Sequence, residues 1–357
     1  MPRLSVVGNP DNRRVLLFAA AARRAGWPPP RVVPWRAVAA GAPVAFAADD
    51  LVRIDSPGEH AEVDRLLRGA AEETPPGQIA GLASWYRGFA AALGRVEAAA
   101  ASAGARLLTD PGDILAMTDK RSCHARLSAA GVAVPPALRR PVRDYADLRQ
   151  AMTDAGWGRV FVKPAYGSSA SGVLALAVRG ADVRATTSVE LVRTGRETRL
   201  FNSLRVRTYH DESEVATIVD TLAGDGLHVE RWFAKAAVAG RVVDLRVVVV
   251  AGRPTHLVVR ASRSPMTNLH LGGARGDLDA LRRAAGERFD DALTTCAAVA
   301  RCFPASHQVG VDLMFSSDWR RHAVAEVNAF GDLLPGLLVD GRDTYDEQLA
   351  ALTGVPA

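Results

Sequence analysis

Apolar and polar positions alternate with two periods along the 357 residues, and the switches between them divide the chain. At the start, RLSVVGNP reads as a strand and loop, and residues 12–25 carry apolar positions at helical spacing. Short strand patterns at 31–33 and 51–54 then interleave with helix patterns at 59–71 and 80–103. Neighbouring parallel strands need a crossover between them, so this order predicts a small open parallel sheet ending near residue 108. The Pro-Pro-Gly at 75–77 marks a surface loop within it. Gly8-Asn9-Pro10 lacks the GxGxxG spacing and reads as an ordinary loop of an α/β unit, one that can face substrate.

From residue 113 the pattern changes. Residues 113–130 form one helix pattern carrying Lys120 and ending at Gly131. In RVFVKPAYGSSASGVLAL a strand delivers Lys163, a small-residue loop runs through Gly167, Ser168, Ser169 and Gly172, and a second strand leaves it. Consecutive backbone N–H groups in such a loop can cradle phosphate oxygens, although the lysine precedes the glycines and no Walker motif results. Two strand-like runs at 184–209 turn at Thr194 and Gly195 and read as a solvated, arginine-rich hairpin. Asp211 caps a helix reaching residue 224, and HVERWFAK follows with Glu230 and Lys235. VDLRVVVVAGRPTHLVVRAS is a hairpin turning at 252–254; Asp244 and Arg246 share a face, and an odd-length turn sets Arg260 opposite Arg246. Facing arginines repel unless an anion lies between them. TNLHLGGARG is a polar loop offering Asn268 and His270, and a helix spans 277–300.

Residues 309–328, VGVDLMFSSDWRRHAVAEVN, read as two strands joined by a polar turn. A turn centred on Trp319 places Asp312 directly opposite Glu326. Met314, Val324 and Asn328 then share the acidic face, while Val311, Leu313, Phe315, Ala325 and Val327 fill the other. Opposed carboxylates destabilise a ladder unless a cation sits between them, and two carboxylates with an amide oxygen suit Mg²⁺. Chance pairing of acids on a sheet is the alternative.

Composition narrows the classes. With 48% apolar residues the chain can bury a sizeable core. No apolar run approaches the ~20 residues that span a bilayer, so a cytoplasmic protein without a membrane partner is expected. Cys123, Cys296 and Cys302 show no CxxC spacing and read as buried free thiols. The sequence pI near 9.4 comes from arginines spread along the chain without an aromatic-basic cluster, so nucleic acid is not the expected partner, and anionic substrates suit the same charge. Only Lys120, Lys163 and Lys235 among the 44 basic residues are lysine. A compact ammonium facing a phosphate is a role an arginine fork does not copy, which singles these three out.

These pieces together resemble the ATP-grasp enzymes, in particular the ribosomal-protein S6 glutamate ligase and glutathione synthetase branch. TDKRSCHARLSAAGV resembles the helix with the first nucleotide lysine, FVKPAYGSSASGV the second lysine and its Gly-rich lid, and HVERWF the hinge strand that reads adenine. DLRVVVVAG with LVVRAS, TNLHLGG, GVDLM and AVAEVNA follow in the family's order, so the likeness covers roughly residues 113–336. The resemblance implies an α/β (α+β) fold with a pre-ATP-grasp open-sheet domain at 1–110, a small ATP-grasp subdomain with its lid at 111–229 and a C-terminal subdomain with a metal site at 230–357. It further implies that Lys120 and Lys163 contact the α- and β-phosphates of ATP and that Lys235 belongs to nucleotide binding. Glu230 would hold the ribose or adenine edge, and the backbone of Arg231, Trp232 and Phe233 would meet adenine. Asp312, Glu326 and Asn328 would bind two Mg²⁺ ions, with Mn²⁺ as a substitute, while Arg246 and Arg260, with Asn268 close by, would stabilise charge on the transferred phosphoryl group.

The implied reaction joins a small-molecule or peptide carboxylate to an amine nucleophile through an acyl phosphate, with a homodimer compatible. Phosphoryl transfer to a hydroxyl and a non-catalytic nucleotide-binding module are the alternatives. The chain departs from the family after Asn328: relatives commonly show an ASPG-like turn there, whereas this sequence reads NAFGDLLPGLL. Phe330 and Asp332 therefore stand where specificity is often set, and Asp332 either holds an incoming amine or serves a Gly turn. The segment before Asp244 is longer than in near relatives, and the 184–209 insertion is unlike compact ones.

Overall fold

A computed structural model describes residues 3–354, apart from 168, 169 and 196. Residues 3–107 build a four-stranded parallel sheet of β1 (Arg3–Gly8), β2 (Arg31–Pro34), β3 (Asp50–Ile54) and β4 (Arg106–Leu107), ordered β2-β1-β3-β4. Its crossovers are α1 (Arg13–Arg24), α2 (Trp35–Ala39), α3 (Ala61–Arg68) and α4 (Leu82–Ala103), and the Asn12 side chain caps α1 by accepting from the Arg14 N–H at 2.9 Å. The 75–79 loop does more than cover the surface. Gly77 accepts from the Asn202 amide at 2.7 Å and Ile79 donates to Leu200 at 2.8 Å, so it pairs with a sheet edge formed much later in the chain.

The expected 113–130 helix is two, α5 (Pro111–Thr118) and α6 (Lys120–Ala129). Asp119 leaves helical geometry (ψ 105) and its side chain caps α6, so Lys120 begins a new helix. The 277–300 helix likewise divides into α9 (Leu278–Ala285) and α10 (Arg288–Cys302) at Gly286, whose φ of 55° and ψ of −138° no helix contains.

Two antiparallel sheets follow. One orders β8 (Glu197–Tyr209), β7 (Asp182–Thr194), β6 (Leu174–Arg179), β5 (Arg159–Pro164) and β9 (Leu227–Arg231), with α7 (Tyr145–Asp154) and α8 (Glu212–Ala223) packed on it. The other orders β13 (Ala274–Arg275), β12 (Arg253–Ser262), β11 (Arg241–Val250), β14 (Gln308–Phe315) and β15 (His322–Asn328), with β10 (Ala237–Val238) beside β11. Val52, Ile54, Phe89 and Leu93 of the parallel sheet and its helices share one apolar core with Leu245, Val247, Val311 and Phe315 of this last sheet. The C-terminal α11 (Thr344–Thr353) returns to α1, setting Tyr345 edge-on to Phe18 at 6.2 Å.

Two registers carry the chemistry. Asp312 pairs with Glu326, as the 309–328 pattern predicts. A bulge then shifts the ladder, so Leu313 faces Val324. Val324 therefore joins the apolar core and Ala325 turns to the acidic face, the reverse of the simple alternation. The β11–β12 turn is two residues long, Ala251 and Gly252, both with positive φ (47° and 79°), and a second bulge lies between Val248 and Val249. Arg260 consequently faces Asp244, not Arg246, and Arg246 faces Asp312 on the other neighbour. Carboxylates supply the anions the paired arginines require.

Candidate active site

The two antiparallel sheets enclose a cleft whose walls bring together Phe161 and Lys163 of β5, Glu230 of β9, Asp244 of β11, Arg260 of β12, Asp312 and Met314 of β14 and Glu326 of β15. Lys120 enters from the start of α6, held by its own N–H donating to the Ala165 carbonyl at 3.0 Å. Lys235 projects from the segment after β9. All three lysines of the chain therefore meet in one place.

Each has an acidic partner. Lys120 Nζ lies 2.9 Å from Glu326 and also donates to the Gly167 carbonyl. Lys163 donates to Glu230 at 2.8 Å, and Lys235 lies 3.2 Å from Asp244 and 2.9 Å from the Thr267 hydroxyl. Burial alone would raise the Glu230 carboxyl, yet Lys163 and His228 hold it down to about 2. Burial pulls the Lys235 ammonium below its ordinary value in spite of Asp244. Arg260 donates to Asp244 at 2.7 Å and lies 3.2 Å from Asp312, while Arg246 grips Asp312 through two nitrogens. Asp244 and Asp312 sit well below the usual carboxylate range, because these guanidiniums outweigh the cost of burial.

Gly167, Arg231, Phe233 and Asn268 line the same cleft. Three anticipated residues do not. Trp232 packs at the back of Phe161, ring centroids 5.1 Å apart, with Arg159 over its other face. The N–H groups of Arg231 and Trp232 already donate to Pro136 and Arg159 carbonyls, at 2.8 and 3.1 Å, so among the three hinge residues the structure leaves Phe233 as the backbone to meet a base. Arg246 reaches the cleft only through Asp312, and Asn328 sits at the end of β15 opposite Gly310. Ser168, Ser169 and the side chain of His270 lie outside the described residues. Asp332 is no amine holder in the cleft and no turn residue in water; it is fully buried against Arg14 and Arg53. Phe330 is half-buried on the shared core.

Sequence reasoning missed Asp244 and Thr267 as site residues. Asp244 was visible as the residue two before Arg246, but its pairing with Arg260 needs both the two-residue turn and the bulge between Val248 and Val249. Thr267 opens the TNLHLGG stretch, but nothing in the sequence pairs its hydroxyl with Asp244. Cys123 and Cys296 are buried, which pushes both thiols up to about 12 and makes them inert; Cys302 is half-buried.

No family model matches the sequence, and no curated protein is similar to it. Solved structures are. The D-cycloserine synthetase DcsG superimposes with a TM-score of 0.61 at 17% identity, over 98% of this chain and 99% of that one. The ATP-grasp ligase PsnB, solved with precursor peptide PsnA2 and AMPPNP, gives 0.52 at 17% identity over 99% and 98%. The macrocyclase MdnC, solved with its precursor peptide MdnA from Microcystis aeruginosa, gives 0.54 at 12% identity over 98% and 99%. This chain has the ATP-grasp fold. The three lysines converge in the space between its two antiparallel sheets. The cleft measures only ≈ 110 Å³, against ≈ 810 Å³ for an exposed groove around Arg159, Arg184 and Trp232, yet the smaller cavity holds the convergent acids and bases.

The metal has a chemically suitable seat. Among the described residues no three His, Cys, Asp or Glu side chains cluster as a metal site. Two carboxylates do face each other across β14 and β15, and the Asn328 side-chain nitrogen on the same strand is buried without a partner. The hard carboxylate oxygens fit Mg²⁺, which takes few protein ligands and completes its shell with water and phosphate; the orphaned Asn328 nitrogen is a hydrogen-bond donor and adds no metal ligand as oriented here.

Proposed function

We propose that this protein is an ATP- and Mg²⁺-dependent carboxylate–amine ligase that forms an amide or peptide bond through an acyl phosphate. The observation that carries this reading is the convergence of Lys120, Lys163 and Lys235 on one cleft opposite Asp312 and Glu326. Phosphoryl transfer asks little covalent chemistry of a protein and much positioning and charge neutralisation. Lys120 and Lys163 bind the phosphates, exchanging their carboxylate partners for phosphate oxygens, and the Gly167 loop supplies backbone N–H groups. Phe161, Met314 and Phe233 offer an apolar slot for the base beside Glu230, and Lys235 stays with the nucleotide. Arg260 and Arg246, with Asn268 beside them, stabilise charge on the phosphoryl group as it moves to the substrate carboxylate. Asp312, Glu326 and Asn328 would hold Mg²⁺, or Mn²⁺ in its place, and the ion would supply further charge neutralisation at the phosphates. An amine then displaces phosphate from the acyl phosphate, releasing ADP and phosphate overall.

The acid is a small molecule or a peptide carboxyl. The likeness to two ligases solved with precursor peptides supports the peptide, and the likeness to a D-cycloserine synthetase supports the small molecule. Placement near the S6 glutamate ligase and glutathione synthetase branch is supported by motif order alone. Incubation with Mg-ATP, hydroxylamine and a panel of amino acids, small acids and acidic peptides tests the reading. A hydroxamate formed in step with ADP is the expected result. A phosphorylated product would assign a kinase, and no ADP with any acid would overturn catalysis.

A further inference from the structure

Behind the loop that follows β15 lies a second ion cluster, its carboxylate sealed from water. Asp332 is completely buried, and both its oxygens are taken: Oδ1 accepts from Arg14 at 2.7 Å, and Oδ2 from Arg53 at 2.7 Å and Gln348 at 3.0 Å. Its carbonyl accepts from the Thr344 hydroxyl at 2.7 Å. Arg53 is only 2% exposed, sits over the rings of Phe18 and Tyr345, and donates to Gln308, the first residue of β14, at 3.1 Å. Parallel sheet, α1, C-terminal helix and the 329–336 loop are thus tied at one carboxylate, and Arg53 carries the tie on to β14. The neighbouring residue makes the link to the cleft. The Gly331 carbonyl accepts from Arg246 Nη1 at 3.2 Å, while the other nitrogens of Arg246 hold Asp312. Gly331 also lies flat on Gly310 of β14, where an added Cβ would come within 2.7 Å of the Gly310 Cα, so the loop has one seat and no side chain to adjust it.

We propose that Asp332 is a positioning residue for the phosphoryl-transfer step: clamped by Arg14 and Arg53, it fixes Gly331 so that Arg246 is held between the Gly331 carbonyl and Asp312. This rests on the ligase reading for its catalytic consequence, but not for the clamp itself. Burying a carboxylate with two arginines does not by itself stabilise a protein more than packed apolar residues would. What the ion pairs add is one orientation, and the group that inherits it is Arg246.

The test uses the full chain carrying Asp332→Asn, which keeps the side chain's shape and removes its charge. Hydrogen exchange of the 329–336 segment reads the clamp without any turnover: uptake rises there in Asp332→Asn and in Arg246→Ala, with β14 and β15 unmoved. ADP release reads the consequence. Asp332→Asn lowers kcat by about tenfold and leaves the KM for ATP within about twofold, because the lysines are untouched. On an Arg246→Ala background the same substitution costs less than about twofold more, since its effect passes through that arginine. Losses that multiply, or an exchange pattern that does not change, overturn the proposal. If the wild-type chain releases no ADP with any acid, the ligase reading fails and the clamp is decided by exchange alone. Should Asp332→Asn not fold, Arg14→Ala takes its place, removing the outer arm of the clamp, whose side chain is 18% exposed, while Arg53 remains.

Discussion

Strand β14 passes through two buried Arg–Asp clusters of nearly the same composition. At its start Gln308 touches the Arg14–Arg53–Asp332 cluster, and four residues on Asp312 enters the Asp244–Arg260–Arg246 cluster. In the first, both carboxylate oxygens of Asp332 are satisfied within the protein and apolar and aromatic side chains close over them. The second opens onto a cleft, where lysines add to the arginines and every cation is held by a carboxylate that a phosphate can replace. Residue type does not separate a scaffold from a candidate catalytic site here. What separates them is whether the paired charges have a route to exchange partners.

The sealed cluster should therefore answer mutation chiefly with lost stability, any effect on turnover passing through Arg246, and the open one with lost activity and a retained fold. Arg53→Met removes the cation from a buried carboxylate and should cost about 3–5 kcal/mol, seen as a lower midpoint in denaturant unfolding. A change below about 1 kcal/mol would mean that water reaches Asp332. The same cluster sets an acid limit. Arg53 and Arg14 overcome burial to hold the Asp332 carboxyl at about 2, below its ordinary 3.8. A depressed carboxyl stabilises the fold above its unfolded value, and that stabilisation is lost as pH falls from about 3.8 through about 2. Wild type should lose stability more steeply over that window than Asp332→Asn, and equal slopes would remove Asp332 from the acid transition.

Glu326→Ala lies on the open side, with the residue half-buried at the cleft. ADP release should fall by roughly 10²–10³-fold, with the circular-dichroism spectrum retained. An unfolded variant would make Glu326 part of the scaffold and erase the distinction between the two clusters. Lys163→Met should weaken ATP binding by about 10–100-fold in calorimetry, the loss of one charge-assisted contact. Unchanged affinity would take Lys163 out of the phosphate site.

The same contrast explains what the sequence could reveal. The cleft cluster is built largely across strand pairs, so period-two spacing and a centred turn were enough to find Asp312 opposite Glu326. Rare lysines marked the rest, and the structure brings all three to one cleft. Bulges were illegible: the two-residue turn alone would set Arg260 opposite Val243, and the bulge near Val248 brings it to Asp244, while another turned Ala325 where Val324 was expected. The parallel sheet, too, followed from strands alternating with helices. The sealed cluster draws one side chain each from α1, β3, the 329–336 loop and α11, segments with no local pattern in common. A buried Asp in a Gly-rich stretch looks like any turn until its distant arginines are in place.

The smallest expected effect tests where the cleft ends. Trp232 belongs to the hinge sequence, but its ring stands behind Phe161, sandwiched by Arg159, and the Trp232 N–H is already spent on the Arg159 carbonyl. A base in the cleft would meet Phe161 and the Phe233 segment and feel Trp232 only through the packing of Phe161. Trp232→Leu should therefore shift ATP affinity by no more than about threefold, the scale of a lost aromatic pair partly refilled by an aliphatic side chain. A loss as large as that of Lys163→Met would show that the indole itself reaches the nucleotide. The cleft wall would then run unbroken from Arg231 to Phe233, instead of skipping the residue between them.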